Sequence, residues 1–403
     1  MEQVQVNAQQ VIDQYGKYVI ANYGRQPLVV TLAQGAYFWD AEGRRYLDLF
    51  PGWGCSLLGH CHPRVVEAIR KQAAELIHID NTFYSLPQGR LAEMISTRSF
   101  GGKCFFANSG AEANEAAIKL ARRATSDGKY KIITMEKSFH GRTYGAMSAT
   151  AQAKVHIGHE PLVPGFVYVP FGDIEAVRKA IDTETAGILV EPIQGEGGVR
   201  VAPPGYLKAL RELCDANGMV LIFDEVQTGL GRTGKWFGYE HFDVVPDMMT
   251  LAKSLAGGAP MGALVAKPEV AAKMTPGSHA STYGGNALVA AAAVASIEAM
   301  EAEHLVPRAA ELGEYILGKA RQFAERTGVV REVRGLGLMI GIELDIPAGP
   351  IAEAALKEGL RVNATQDVVL RLLPAMVTTN EQVDEAFEIL TGVVTRQAQE
   401  ANR

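Results

Sequence analysis

Lys253 stands where an amine can do chemistry. It follows the apolar run Met248-Met249-Thr250-Leu251 and precedes the small-residue stretch Ser254-Leu255-Ala256-Gly257-Gly258. A lysine there becomes a Schiff-base nucleophile once desolvation or nearby cations lower its pKa, although a single lysine is more simply a solvated charge. Asp224 and Glu225 close a second apolar run, Met219-Val220-Leu221-Ile222-Phe223, and lead into Val226-Gln227-Thr228-Gly229. Open α/β sheets bind their ligands at the carboxyl ends of strands. A carboxylate at that place can hold a cationic ring nitrogen or cap the following turn, and the pair alone leaves both open. A third group, Asn108-Ser109-Gly110-Ala111-Glu112, ends the run Cys104-Phe105-Phe106 and opens a helix. Backbone N–H groups at a helix start attract anions, and glycine lets a phosphate approach. The Ser109–Glu112 spacing is equally that of an ordinary capping box.

Two arginines sit among apolar or small neighbours: Arg142 in Phe139-His140-Gly141-Arg142-Thr143 and Arg371 in Leu370-Arg371-Leu372. Guanidinium groups bind carboxylates bidentately. Two further carboxylates, Glu191 and Glu196, end an apolar run in Glu191-Pro192-Ile193-Gln194-Gly195-Glu196. Taken singly, each of these charges is an ordinary ion-pair partner. Gly229-Leu230-Gly231-Arg232-Thr233-Gly234 matches GxGxxG, with Asp247 downstream. That pattern marks a NAD-dependent dehydrogenase when a strand leads straight into it and a helix follows. Here five residues intervene and Trp236-Phe237-Gly238-Tyr239 follows, so the dehydrogenase stands as the alternative from a different class. His60-Cys61-His62 lacks a second ligand pair, and neither HExxH nor GxSxG occurs, so no metal site is expected.

The elements that must position these groups alternate between strand and helix. Residues 131–135, 167–169, 187–190, 219–223 and 248–251 read as strands, and 112–123, 174–181 and 206–217 as helices, the last ended by Gly218. Continuous apolar runs between helices predict a mostly parallel sheet covered on both faces. Before it, Tyr37–Asp40 and Arg45–Asp48 flank Glu42-Gly43 as a hairpin, and Pro63 opens an amphipathic helix. After it, one long helical stretch is expected from Ala287 to about Gly328. Short strands over 333–344, 361–364 and 368–372 and a closing helix over 381–395 then make a smaller α+β unit.

Composition narrows the class. The chain has 403 residues, 47% hydrophobic and 21% charged, which is globular rather than disordered or fibrous. Its net charge of −6 with no basic block gives no footprint for nucleic acid or anionic lipid. The most apolar stretch, Ala287–Ala295, is far short of a membrane span and reads as a buried helix. Met1-Glu2-Gln3-Val4-Gln5 shows no basic or apolar signal region, and Cys55, Cys61, Cys104 and Cys214 show no CxxC spacing. A cytoplasmic protein with free thiols is expected.

Read together, the phosphate-type loop, the strand-end carboxylate and a lysine 29 residues after it are the parts of a pyridoxal phosphate site. The chain resembles the class III (ω-amino acid) aminotransferases, which use that cofactor. The resemblance rests on Asn-Ser-Gly-Ala-Glu-Ala at 108–113, Phe-His-Gly-Arg-Thr at 139–143 and Glu-Pro-Ile-Gln-Gly-Glu-Gly-Gly at 191–198. Phe-Asp-Glu-Val-Gln-Thr-Gly at 223–229, Ala-Lys-Ser-Leu at 252–255 and Ser-Thr-Tyr-Gly-Gly-Asn at 281–286 continue it in order. Within the class the motifs look most like those of enzymes whose amine donor is N-acetylornithine, with ornithine enzymes close behind. Succinylornithine, succinyl-diaminopimelate and 4-aminobutyrate are the other donors the class leaves open.

The resemblance implies a fold-type I transferase. A large cofactor domain would span 51–290, with a smaller α+β domain from 1–50 and 291–403. Lys253 would form the Schiff base with the cofactor and shuttle the proton. Asp224 would keep the ring nitrogen protonated. Phe139 and Val226 would cover the ring faces, Gln227 would reach the ring hydroxyl, and Ser109, Gly110 and Ala111 would hold the phosphate. Thr282 would reach the phosphate of the partner subunit's cofactor in a homodimer. Arg142 would bind a distal carboxylate, Arg371 the α-carboxylate of glutamate, and Glu196 would neutralise Arg371 when the ω-amine donor is bound. One stretch departs from the family pattern. Phe50-Pro51-Gly52-Trp53-Gly54-Cys55 puts Trp53 where related enzymes carry aliphatic residues or tyrosine, which would place Trp53 on the substrate pocket. Tyr23 is taken as the N-terminal substrate contact without a motif to anchor it.

Overall fold

The computed structural model describes residues 7–401, so Met1–Gln5, read above for targeting signals, lies outside the described residues. Its centre is a seven-stranded sheet. Across it run Lys103–Ala107, Gly262–Ala266, Met248–Leu251, Val220–Asp224, Thr185–Val190, Lys131–Met135 and Phe166–Val169. Gly262–Ala266 lies antiparallel to both neighbours, and the other pairings are parallel. Every residue of Thr185–Val190, Val220–Asp224, Met248–Leu251 and Gly262–Ala266 is buried. This is what continuous apolar runs produce when helices cover both faces.

Register aligns the functional ends of the strands. Asp224 lies beside Thr250, and Phe223 lies beside Val190. Asp224, the Glu191 that follows Val190, and the Lys253 that follows Leu251 therefore emerge at one edge. Two helices pack on the sheet. Gly110–Ala124 turns an alanine-rich face, including Ala113, Ala116 and Ala117, into the sheet. Tyr206–Asn217 ends on Gly218, whose φ of 59° is the left-handed conformation glycine accepts without strain.

The expected long helix after Ala287 is two helices. Ala287–Ala302 and Leu305–Thr327 are separated at His304, which adopts φ 51°. The break lets two differently patterned helices pack on different partners. Ala287–Ala302 is mostly apolar and packs against the Pro63–Glu75 and Leu86–Arg98 helices, whereas Leu305–Thr327 is amphipathic and packs on Asn380–Ala401. The stretch expected as strand over 333–344 is likewise a hairpin, Val330–Leu336 and Met339–Leu344, turned at Gly337 with φ 52°. Those strands join Val369–Leu372 and Asn363–Thr365 in one antiparallel sheet. A further strand, Leu360–Arg361, leaves it to lie parallel to Arg45–Asp48 of the N-terminal hairpin. Ala8–Tyr18, Leu86–Arg98 and Ala348–Lys357 are helices the sequence reading passed over. Among the described residues no helix is long and apolar enough to cross a membrane.

Candidate active site

A cavity of about 460 Å³ opens at the carboxyl edge of the central sheet, and Lys253, Asp224 and Ser109–Ala111 all face it. Lys253 begins a single turn, Lys253–Ala256, after the buried strand Met248–Leu251. Burial pushes its pKa down and the Arg371 charge pushes the same way, while Glu196 opposes them. The amine is thus biased toward its neutral, nucleophilic form.

Asp224 is 3% exposed and held on every side. Its Oδ2 accepts from His140 Nδ1 at 2.7 Å and from Asn114 Nδ2 at 2.8 Å, and its Oδ1 accepts from the Val226 N–H at 3.0 Å. Asn114 is fixed in turn, because it also donates to the His140 carbonyl and accepts from Thr250 Oγ1 at 2.9 Å. Glu191 is buried nearby and accepts from the Phe139 and Gly195 N–H groups at 3.0 and 2.9 Å. Burial drives its pKa up to about 7, with His140 opposing and Asp224 reinforcing the rise. His140, Asn114, Thr250 and Glu191 had no assigned part in the sequence reading. Their signal is partial: His140 and Glu191 lie inside quoted motifs, but only the fold brings Asn114 and Thr250 to Asp224.

The helix start carries both of its sequence readings at once. Ser109 is the N-cap of Gly110–Ala124, and its Oγ accepts from the Glu112 N–H at 3.2 Å. Glu112 reaches back to the Asn108 N–H at 2.7 Å. The capping box therefore orders the turn whose N–H groups line the cavity.

Glu196 on the cavity wall is backed by the C-terminal sheet. Arg371 on Val369–Leu372 is fully buried, and its Nη1 donates to Glu196 Oε1 at 2.7 Å. Nε donates to Asn363 Oδ1 at 3.0 Å, the guanidinium lies 4.9 Å from the Phe50 ring centre, and Nη2 has no partner. Burial raises the Glu196 pKa, but the Arg371 and Lys253 charges outweigh it and hold the carboxylate below its ordinary value. Arg142 itself lines the cavity, with its guanidinium 4.7 Å from the Phe139 ring centre.

Four assigned residues stand outside the cavity lining: Arg371, which lies behind Glu196, and Tyr23, Trp53 and Thr282. Tyr23 is 65% exposed and meets the Arg25 guanidinium. Trp53 is 55% exposed, at φ 60°, with its ring 5.8 Å from that of Phe50. Thr282 is exposed in a loop fixed through Ser281 and Gly284, whose carbonyls accept from Asn81 Nδ2. The GxGxxG stretch is no nucleotide loop. Its Arg232 is fully buried and donates to the carbonyls of Leu338, Pro374 and Gly54. Glu225 gathers the following turn, accepting from Thr228 Oγ1 and the Gly238 and Tyr239 N–H groups, each at 2.7 Å.

The wall fits pyridoxal phosphate on its own chemistry. It offers an amine with lowered pKa, a fixed carboxylate and an anion-attracting helix start. Two buried polar atoms on residues lining the cavity, His140 Nε2 and Gln227 Oε1, have no partner among the described residues. Fold and wall together fit an enzyme built around a phosphorylated carbonyl cofactor. Residues 18–394 match the aminotransferase class-III family, and the chain belongs to it. It is 50% identical over 383 residues to the acetylornithine aminotransferase of Caldanaerobacter subterraneus subsp. tengcongensis, covering 94% of this chain and 97% of that one. The acetylornithine aminotransferase of Methanocaldococcus jannaschii is 47% identical, with 95% and 98% covered. Among solved structures, ornithine aminotransferase from Toxoplasma gondii superposes with TM-score 0.92 at 33% identity, covering 99% of this chain and 97% of that chain. Its structure is described with partial occupancy of pyridoxal phosphate at the active site. The protein is a pyridoxal phosphate-dependent aminotransferase acting on small amino and keto acids.

Proposed function

We propose that the chain moves the terminal amino group of N-acetylornithine to 2-oxoglutarate, giving N-acetylglutamate 5-semialdehyde and glutamate, as in arginine synthesis. One observation carries this reading: a buried arginine, Arg371, that one carboxylate, Glu196, satisfies only in part. The acetylornithine relatives at 44–50% identity supply the donor's name.

Such an enzyme takes two substrates in turn, one with an ω-amine far from its carboxylate and one, glutamate, with both on the same carbon. Glu196 neutralises Arg371 while the ω-amine donor is bound. It swings away when the glutamate α-carboxylate arrives, so that neither half-reaction leaves a buried charge unpaired. Arg142 binds the distal carboxylate. When bound, pyridoxal phosphate supplies the carbonyl for amine exchange and the ring that accepts electrons. Asp224 holds the ring-nitrogen proton, and Lys253 Nζ moves a proton at the amine-bearing carbon. Ser109, Gly110 and Ala111 hold the phosphate, Phe139 and Val226 cover the ring, and Gln227 meets its hydroxyl. Trp53 and Tyr23 shape the donor entrance.

The reading extends to assembly. Thr282 reaches the cofactor phosphate of the partner subunit in a homodimer, which its exposure outside its own cavity and the exposed Phe83, Tyr84 and Tyr283 support. Residues 51–290 form the cofactor unit and 1–50 with 291–403 the smaller one, which the Leu360–Arg361 strand on Arg45–Asp48 supports. The setting is cytoplasmic, in keeping with four free cysteines.

The test is visible absorbance of the purified protein, before and after N-acetylornithine without a keto acid. Bleaching of the bound-cofactor band supports this donor. A band that persists with N-acetylornithine but bleaches with ornithine or 4-aminobutyrate moves the donor within the family.

A further inference from the structure

The Arg142 loop is held from behind by a carboxylate to which no role has yet been given. Glu115 lies on the Gly110–Ala124 helix, directly after Asn114, which lines the cavity. Its Oε1 accepts from Thr143 Oγ1 at 2.7 Å, the Gly145 N–H at 2.8 Å and the Ala146 N–H at 3.2 Å. These donors are the N-cap and first turn of the helix Tyr144–Ala149. Thr143 makes no side-chain cap to that helix, and Glu115 supplies the cap from a neighbouring element. A Cβ on Gly145 would lie 2.4 Å from Glu115 Oε2, so glycine at 145 is what lets the carboxylate seat.

A second contact fixes the same loop to the same helix. Gly141 adopts φ 136°, and a Cβ there would lie 2.6 Å from the Ala111 Cβ. Before Arg142, the Phe139 N–H is held by Glu191 and the His140 N–H by Thr150 Oγ1 at 2.8 Å. After Arg142, the tether is Glu115. The helix whose start faces the cavity thus also sets where the arginine's backbone stands.

We propose that Glu115 is a positioning residue for Arg142, fixing the Thr143–Ala146 turn so that the guanidinium meets a substrate carboxylate. This rests on the reading of Arg142 as the distal-carboxylate site. Fork-to-carboxylate recognition tolerates displacements of only about 0.5 Å, so a loosened turn weakens substrate binding while leaving chemistry at Lys253 intact. A cap that served stability alone would not separate KM from kcat.

The experiment uses holoenzyme of wild type, Glu115→Ala, Glu115→Gln and Thr143→Ala, matched for cofactor content. Half-reactions are followed with N-acetylornithine, with glutamate, and with hydroxylamine, which attacks the bound cofactor's carbonyl and has no carboxylate. Glu115→Ala should raise KM for the two carboxylate-bearing amines about 10-fold, with kcat and hydroxylamine capture within about twofold. Glu115→Gln, whose amide oxygen still accepts, should recover most of the loss, and Thr143→Ala should raise KM about threefold. Should Glu115→Ala fail to hold cofactor, the two milder variants decide. Unchanged KM values, or an equal fall with hydroxylamine, overturn the proposal. A wild-type enzyme that ignores N-acetylornithine overturns the donor reading alone, and the glutamate arm still decides Glu115.

Discussion

The two ends of the cavity are built to opposite standards. At the Asp224 end each carboxylate oxygen already has protein partners, and Asn114 behind it is satisfied by Thr250 and the His140 carbonyl. At the Glu196 end the carboxylate on the wall is 23% exposed, and Arg371 behind it is fully buried with Nη2 unpaired among the described residues. A carboxylate whose oxygens are already held resists rearrangement, and a half-satisfied guanidinium invites an exchange of partners. The first suits a group that stays through the whole cycle. The second suits two substrates whose carboxylates arrive at different places. The cavity therefore separates permanence from exchange along its length, and each end can be broken independently.

The largest effect lies between them. Lys253→Ala removes the only lysine amine on the cavity wall among the described residues, and turnover should be abolished, measured as glutamate formed from N-acetylornithine and 2-oxoglutarate. Substantial residual turnover would sink the Lys253 assignment. Next comes the exchange end. Arg371→Ala should lower kcat/KM for the glutamate half-reaction by roughly 100-fold, the loss of a buried charge-assisted contact, and the ω-amine half-reaction by much less. Equal losses in both half-reactions would mean that Arg371 serves the fold rather than the exchange.

The sequence made the fixed end legible and hid the way it is fixed. Asp224 and Lys253 follow unbroken apolar strands, and that local pattern alone puts them at a sheet edge. The support of Asp224 by Asn114 and Thr250 depends on pairings across 110 and 136 residues, respectively, which no local spacing encodes. The antiparallel Gly262–Ala266 strand and the break at His304 were illegible for a similar reason, since packing partners rather than local periodicity decide them. GxGxxG misleads because its glycines serve a turn around a buried arginine. Gly231 and Gly234, at φ 84° and 85°, let the chain wrap while Arg232 ties three remote carbonyls together.

The turn behind the fixed end carries a pH signature. Burial raises the Glu225 pKa from 4.5 to about 7, against the pull of its hydrogen bonds to Thr228, Gly238 and Tyr239. The folded state therefore keeps a proton that the unfolded chain releases between those two values. The resulting stabilisation is complete below about pH 4.5 and is lost as pH rises through about 7. The wild-type melting temperature should fall between pH 5 and pH 8 by an amount equivalent to roughly 1–3 kcal/mol. Glu225→Gln should show a shallower fall, with Glu191, also near 7, left to titrate. Parallel curves for the two proteins would contradict the assignment.

The smallest effect probes how far the exchange end reaches. Trp53 lies outside the cavity wall, but its ring meets Phe50, and Phe50 meets the Arg371 guanidinium. Its backbone at φ 60° stands between Gly52 and Gly54, which also have positive φ, so the indole sits on a turn that alanine can also adopt at some cost. If this turn shapes the donor entrance, Trp53→Ala changes the fit of the donor's acyl group without touching the buried arginine. The ratio of kcat/KM for N-acetylornithine to that for ornithine should shift about 3- to 10-fold, the scale of a hydrophobic pocket contact. The glutamate half-reaction should stay within about twofold. An unchanged donor profile would confine the exchange end to Arg371, Glu196 and Phe50. A parallel loss with glutamate would show that Trp53 acts by holding Phe50 against the arginine, making it part of the arginine's setting rather than of the donor entrance.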